Sequence, residues 1–293
     1  MIKKSLIVIL ITIHINAFTQ QKFAIPFSRF YTDNATLTIG IQYNYVYQNY
    51  QIGLKNNWQK HDGFDYPIDN INHLGDLKSI SSKAGSGFAV GIPIDLKMNS
   101  HLYLNISPSF LFVNNLAIAY QSTDISREPL IRKSKHDLAT TVGDNFKAFE
   151  IPLALKLRSA KKGGIHKTNQ YSAYIISGLR YSRWIGINKA YKDMIKNNHA
   201  LTDPLILKPG YLSWEVGIGA DLYFEGFKVS PEIKFNQSFK NVLDTKNPLS
   251  ISNKFMNPIE SSLIRNLYLG LIFYLYVNSF NYRSKFGNWR CMC

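Results

Sequence analysis

Cysteine is almost missing from this chain: of 293 residues only Cys291 and Cys293, both at the C-terminal end, are cysteines. They cannot staple a fold, and a single intervening residue is too short for a relaxed bridge between them. They read as incidental tail residues, with a metal or intermolecular disulfide role as the alternative. Long apolar runs are missing too. Past the first fifteen residues no segment approaches the roughly 20 apolar residues that a membrane-crossing helix needs, which excludes a helical inner-membrane protein. Charged residues are few, at 18%, while hydrophobic ones reach 45%. That is too little Lys and Glu for a helical protein and too much apolar surface for a disordered chain. Acidic residues are the scarcer sign, 19 against 34 basic, for a net charge of +15. Such an excess attracts nucleic acid or an anionic membrane surface. Here the basic residues are scattered over loops, strand ends and the tail, not gathered on one helix or stripe. The expected partners are therefore outer-membrane lipid and lipopolysaccharide, with no nucleic acid.

The N-terminus sets the compartment. Lys3 and Lys4 precede an apolar run, Leu6 to Ile11 and on to Ile15, and Ala17-Phe18-Thr19 offers small residues for cleavage before Gln20. Residues 1–19 read as a secretory signal peptide. No cysteine follows the apolar run, so a lipoprotein anchor is not expected.

What the chain does contain is aromatic residues (18 Tyr, 18 Phe), 18 Gly and a period of two. In the first such stretch Ala35, Leu37, Ile39, Ile41, Tyr43, Tyr45 and Tyr47 alternate with Thr36, Thr38, Gly40, Gln42, Asn44, Val46 and Gln48. That is a strand with one apolar and one polar face. Seven more follow, with outward faces led by Phe88 to Met98, Leu102 to Phe112, Phe149 to Leu157, Tyr171 to Tyr181, Leu212 to Phe224, Phe227 to Phe235 and Leu267 to Leu275. Strands of about ten residues suit a tilted crossing of an apolar band about 25 Å tall. A soluble sandwich also alternates; the connections discriminate. Asn99-Ser100-His101 and Glu225-Gly226 are tight, 159–170 is intermediate, and 49–85, 114–145, 184–210 and 237–262 are long. Loop length sorted by end is the habit of an outer-membrane barrel. Outward aromatics agree: Tyr45, Tyr47, Phe88, Phe149, Tyr181, Trp214 and Phe235 fall at the loop ends, and Tyr171, Phe224 and Phe227 at the turn ends, as two interfacial girdles would require. The expected fold is all-β: an eight-stranded antiparallel transmembrane β-barrel with short periplasmic turns and long external loops, spanning residues 20–277, in the cell outer membrane. A basic tail, 278–293, with Arg283, Lys285, Trp289 and Arg290, follows it.

The inward faces carry Asp95 and Lys97 together with Glu150, Lys156, Arg158, Arg180, Glu215, Asp221, Lys228, Glu232 and Lys234. An eight-stranded barrel is only wide enough to be filled by side chains, and charges in so narrow a space must pair. The nine from Glu150 to Lys234 are expected to form a structural network that plugs the lumen, with a gated polar conduit as the sharper alternative. Drawn in register, Arg180 would bridge Glu150 and Glu215. No catalytic, metal or cofactor site is expected, nor a small-molecule substrate. Of seven histidines, His14 lies in the leader and the other six (His61, His73, His101, His136, His166 and His199) fall in loops or near turns. None sits on a strand face beside a nucleophile. Asp62 beside His61 reads as a solvated loop.

Several stretches carry a resemblance. Phe149-Glu150-Ile151-Pro152-Leu153-Ala154-Leu155-Lys156-Leu157-Arg158-Ser159, Tyr174-Ile175-Ile176-Ser177-Gly178-Leu179-Arg180-Tyr181, Trp214-Glu215-Val216-Gly217-Ile218-Gly219 and Val229-Ser230-Pro231-Glu232-Ile233-Lys234-Phe235 follow in order. They are similar to strands of the PorT/SprT family of Bacteroidota, best over residues 146–277. Tyr268-x-Gly270-x-x-Phe273-x-Leu275 likewise resembles the C-terminal strand signal read by barrel-assembly machinery. One position departs: an acidic residue is expected after Ser182, and Arg183 stands there. The resemblance implies a non-enzymatic barrel supporting type IX protein secretion, and in gliding species motility, as an accessory or assembly component in contact with other secretion proteins. The alternative is a general outer-membrane barrel, adhesin-like or small porin-like, acting through its external loops.

Overall fold

The computed structural model describes residues 36–60, 76–124, 128–134, 148–163, 170–196, 204–224, 227–251 and 253–275. The expected leader, 1–19, Ala35, the Glu225-Gly226 turn, residues 164–169 of the intermediate link, and the expected tail, 278–293, lie outside the described residues.

The alternating stretches form strands, and the strands join edge to edge into eight staves. The first stave is β1 (Leu37–Ile39) running into β2 (Ile41–Leu54); the second is β4 (Gly85–Gly91) with β5 (Ile94–Lys97). The third is β6 (Leu102–Ile106) with β7 (Ser109–Asn114). Single strands make the rest: β10 (Ala148–Arg158), β12 (Gln170–Trp184), β13 (Gly210–Phe224), β14 (Phe227–Ser238) and β15 (Ile259–Leu275), with the short β11 (Lys162–Gly163) paired to the foot of β12. Each stave pairs antiparallel with the next, and β15 pairs back onto β2 from Phe273↔Ile41 to Ile259↔Leu54, so the sheet closes. The breaks in staves two and three fall at prolines, which lack a ladder donor. Proline carbonyls still serve the neighbour: Gly40 donates to Pro93 O (2.9 Å), Ile92 to Pro108 O (3.0 Å) and Ser107 to O of Pro152 within β10 (3.4 Å).

The register gives the barrel its dimensions. Starting at Gln48 and stepping across the ladders leads through Asn266, Asn236, Glu215, Gly178, Ala154, Asn105 and Asp95 to Thr38, on the first stave again. The path returns ten residues lower, from 48 to 38, a shear of ten. Eight strands at that shear tilt by about 41° around a backbone radius of about 8 Å. Such a radius leaves room for side chains and little else.

The facing is inside out. Ile218 is 61% exposed and Ile175 56%, with Leu153, Leu155, Leu157, Ile233 and Leu269 near half, while Gln42, Asn44, Asn105, Glu150 and Arg180 are buried. A soluble protein does not expose so continuous an apolar wall; a transmembrane barrel must. Among the described residues no helix is long and apolar enough to cross a membrane.

The staves outrun their expected ends on the side of the long connections. β2 continues to Leu54 and β15 starts at Ile259. The second and third staves also continue, after bends at Ala84 and Asn115 (φ 64°), into β3 (Leu77–Lys83) and β8 (Ala117–Ser122). With β9 (Leu130–Lys133) these make a separate three-stranded sheet. Gly186 (φ +76°), in a backbone conformation open to glycine, turns the chain from β12 into α1 (Ile187–Lys196). A single turn, α2 (Pro248–Ile251), precedes β15. The long loops are thus partly a folded cap.

Candidate functional site: a filled lumen beneath an external cap

The lumen is packed in three polar tiers. Nearest the turns, Asp95 and Asp221 are ringed by cations. Lys156 Nζ lies 3.3 Å from Asp95 and 3.4 Å from Asp221, Arg158 Nη1 3.6 Å and Lys228 Nζ 3.5 Å from Asp221. Asn105 and Tyr274 donate to Asp95 (2.6 and 2.9 Å), and Ser230 to Asp221 (2.6 Å). Arg158 also donates to the phenol oxygens of Tyr223, at 2.9 Å, and Tyr103. In the middle tier Glu232 receives Lys234 Nζ (2.5 Å), Gln42 Nε2 (2.6 Å) and Tyr174 OH (3.2 Å).

The upper tier centres on Arg180, which donates from Nη1 to Glu150 Oε2 (2.6 Å) and from Nε (2.8 Å) and Nη2 to Glu215 Oε2. Ser182 Oγ (3.0 Å) and Tyr268 OH (3.0 and 3.1 Å) complete the shell of Glu150. The register explains the geometry: Glu150 faces Ser182 and Arg180 faces Ser213, so the two glutamates reach the guanidinium from opposite diagonals, each two residues away.

The nine expected site residues are therefore all buried, but in three groups. Glu150, Arg180 and Glu215 come together; Glu232 and Lys234 pair; Lys156, Arg158, Asp221 and Lys228 gather with Asp95. The residues that sequence reasoning left without a role are the inward tyrosines. Arg180 lies 4.3 Å above the Tyr268 ring, Lys228 3.8 Å above Tyr274, Lys156 3.8 Å above Tyr174 and Arg158 4.4 Å above Tyr103. Each cation thus has an electron-rich face as well as a carboxylate. The available signal was that Tyr268, Tyr274 and Tyr174 occupy polar-face positions.

Above Arg180 the lumen turns apolar. Val46, Leu111, Val113, Ile264 and Tyr211 from the staves meet Leu116, Ile118 and Tyr120 of the cap sheet, Ile187 and Tyr191 of α1, and the segment Pro204–Leu207. That segment is held in the barrel mouth by a Leu207↔Leu243 bridge, Leu207 N–H to Tyr191 OH (2.7 Å), and Asn253 Nδ2 to Pro204 O (2.7 Å). Tyr120 OH donates to Phe255 O (2.6 Å), and burial pushes its phenol well above the usual range, so it remains a neutral donor. Outside this apolar plug the cap is basic. Its described residues (49–60, 76–124 beyond Asn114 and before Gly85, 128–134, 183–196, 204–209 and 239–265) hold fifteen Lys or Arg and six Asp or Glu, a net charge of +9.

Of the six histidines expected in the mature chain, His101 alone falls among the described residues. Its Nδ1 is 3.0 Å from Arg158 O. Among the described residues no group of three or more His, Cys, Asp or Glu is arranged to hold a metal.

No protein-family model matches the chain, and no curated protein matches it. Among solved structures it is similar to Neisserial surface protein A, NspA, at 9% identity and TM-score 0.34, covering 81% of this chain and 97% of that one. It is also similar to Ail, the attachment invasion locus protein of Yersinia pestis, in complex with the heparin analogue sucrose octasulfate, at 9% identity and TM-score 0.28, with 81% and 97% covered. The assignment rests on the chain's own closed pairing, its shear and its inside-out faces: this is an eight-stranded outer-membrane β-barrel, located in the outer membrane.

Proposed function

We propose that this barrel is a general, non-enzymatic outer-membrane protein that works by contact, through its external cap, on anionic groups at the cell surface. The observation that carries this reading is the combination of a lumen filled by three paired tiers and an apolar plug with a folded cap whose described residues carry a net charge of +9. A filled lumen of this radius is unsuited to conduction. A dense positive surface is suited to lipopolysaccharide phosphates or acidic glycans, whose attraction weakens as salt shortens the Debye length. The test is binding of the purified barrel in lipid discs to lipopolysaccharide and to a sulfated polysaccharide across a salt series. Saturable, salt-sensitive binding lost on charge reversal of Lys189, Lys192 and Lys196 is expected; salt-insensitive or absent binding would remove the reading.

A second reading is support of type IX secretion, and possibly gliding, in contact with other secretion components. It is favoured by the ordered resemblance from Phe149 to Phe235, which falls on four adjacent staves. A protein this narrow could serve secretion only as scaffold or assembly factor, because even a porin-sized channel takes about 16 strands. Deletion of the gene followed by profiling of exported proteins separates the two. Cargo trapped in the periplasm supports the secretion role, and normal export removes it.

A further inference from the structure

The lipid-facing wall is not smooth. On three adjacent staves one ladder row carries small or short side chains: Ala173 pairs with Ala220 and Pro231 follows on β14; beyond them Pro231 pairs with Leu271, which leads to Tyr43. The next row toward the outside is bulky, with Ile175, Ile218, Ile233, Leu269 and Tyr45 in direct succession. The next row toward the turns is Tyr171, Leu222, Val229 and Phe273. Between two ridges the small row leaves a furrow of about 1110 Å³, lined by Tyr43 and Tyr45 at one end and by Leu157, Ser159 and His101 at the other.

Because the ladder rows are perpendicular to strands tilted about 41°, a row descends about 3 Å per stave. The furrow therefore starts in mid-membrane at Tyr43 and reaches the periplasmic rim at Ser159 and His101. Five strand spacings give it a length of about 24 Å and a descent of about 16 Å, close to the roughly 15 Å of hydrocarbon in one leaflet. Its upper stretch is apolar. Its lower end is polar, and a cation, Lys162, stands one ladder row nearer the turns. There Ser159 Oγ receives the Ala173 N–H (3.1 Å), His101 is fixed through Nδ1 to Arg158 O with its Nε2 left for another partner, and Lys162 is exposed opposite Tyr171.

We propose that this furrow is a binding site for one phospholipid of the periplasmic leaflet. An acyl chain lies along Ala173, Ala220 and Pro231, and the phosphate sits at the rim against His101 and Lys162. The direction selects the occupant: the charged end faces the periplasm, so a lipid whose phosphate lies in the outer leaflet would run the wrong way. The site is independent of the cap and of the secretion reading.

The test is native mass spectrometry of the full mature barrel released from outer membranes in mild detergent. The expected result is one retained phospholipid per barrel, reduced at least tenfold in Ala220→Phe and in Ala173→Phe, which fill the floor from the lipid side, and unchanged in Ser177→Phe, which is outward but outside the furrow. His101→Ala with Lys162→Glu should weaken retention while leaving the floor intact. Each variant is first shown to migrate as a folded barrel; should Ala220→Phe not fold, Ala220→Leu replaces it. Wild-type barrel carrying detergent alone, or retention equal in wild type and folded floor variants, would overturn the proposal.

Discussion

Arg180→Ala is the perturbation whose cost can be worked out most fully. Arg180 is 2% exposed and serves two carboxylates. Without it Glu150 keeps donors from Ser182 and Tyr268, but among the described residues the hydrogen bonds of Glu215 all come from Arg180. One attractive pair at close range is worth about 4 kcal/mol at the effective dielectric of protein sites, and two are lost. Against this stands the desolvation of the guanidinium, which the variant no longer bears. Removal of one partner from a buried pair costs about 3–5 kcal/mol, and most of it should reside in Glu215. The assay is urea unfolding in lipid vesicles, followed by the shift in gel mobility of the folded barrel. Arg180→Ala should lose about 3–5 kcal/mol, and adding Glu215→Gln should restore about 2 kcal/mol by removing the orphaned charge and leaving only an unsatisfied amide. A single variant as stable as wild type, or a double variant no better than the single, would refute the tiered pairing of the lumen.

Three further outcomes follow from the same geometry. Ile218→Arg, midway along the outward face of β13, should cost about 2–4 kcal/mol, whereas the same change at a rim position such as Leu212 costs little; urea midpoints in vesicles check this. Leu205→Ala in the buried mouth segment should cost about 2–4 kcal/mol and make the cap sensitive to protease while the barrel keeps its folded mobility. Planar-bilayer recordings of the folded protein should show no stable conductance, and a large steady one would favour a porin-like role.

The staves were legible because alternation of period two survives wherever one face meets lipid and the other a polar lumen, as from Ile41 to Gln48 and Phe149 to Arg158. The Glu150–Arg180–Glu215 contact was legible as well, since facing and turn length limit the register. The cap was not. In β3, the stretch Leu77–Lys83 has no strict alternation, because Leu77 is its one buried residue and most of the strand stands in solvent. Pro204-Leu205-Ile206-Leu207 is too short an apolar run to be told from loop, and only tertiary closure of the barrel mouth gives it a place. The furrow was hidden for a different reason. Ala173, Ala220 and Pro231 are unremarkable singly, and they become a feature only once the register sets them side by side.

Closure of the sheet in the outer membrane is tested most directly by one gel. The mature chain, recovered from fractionated cells, is run on a detergent gel with and without boiling. A closed barrel, with its strand hydrogen bonds satisfied all round, predicts recovery with outer membranes and faster migration before boiling than after. Recovery in the soluble periplasm, with one mobility in both lanes, would contradict it.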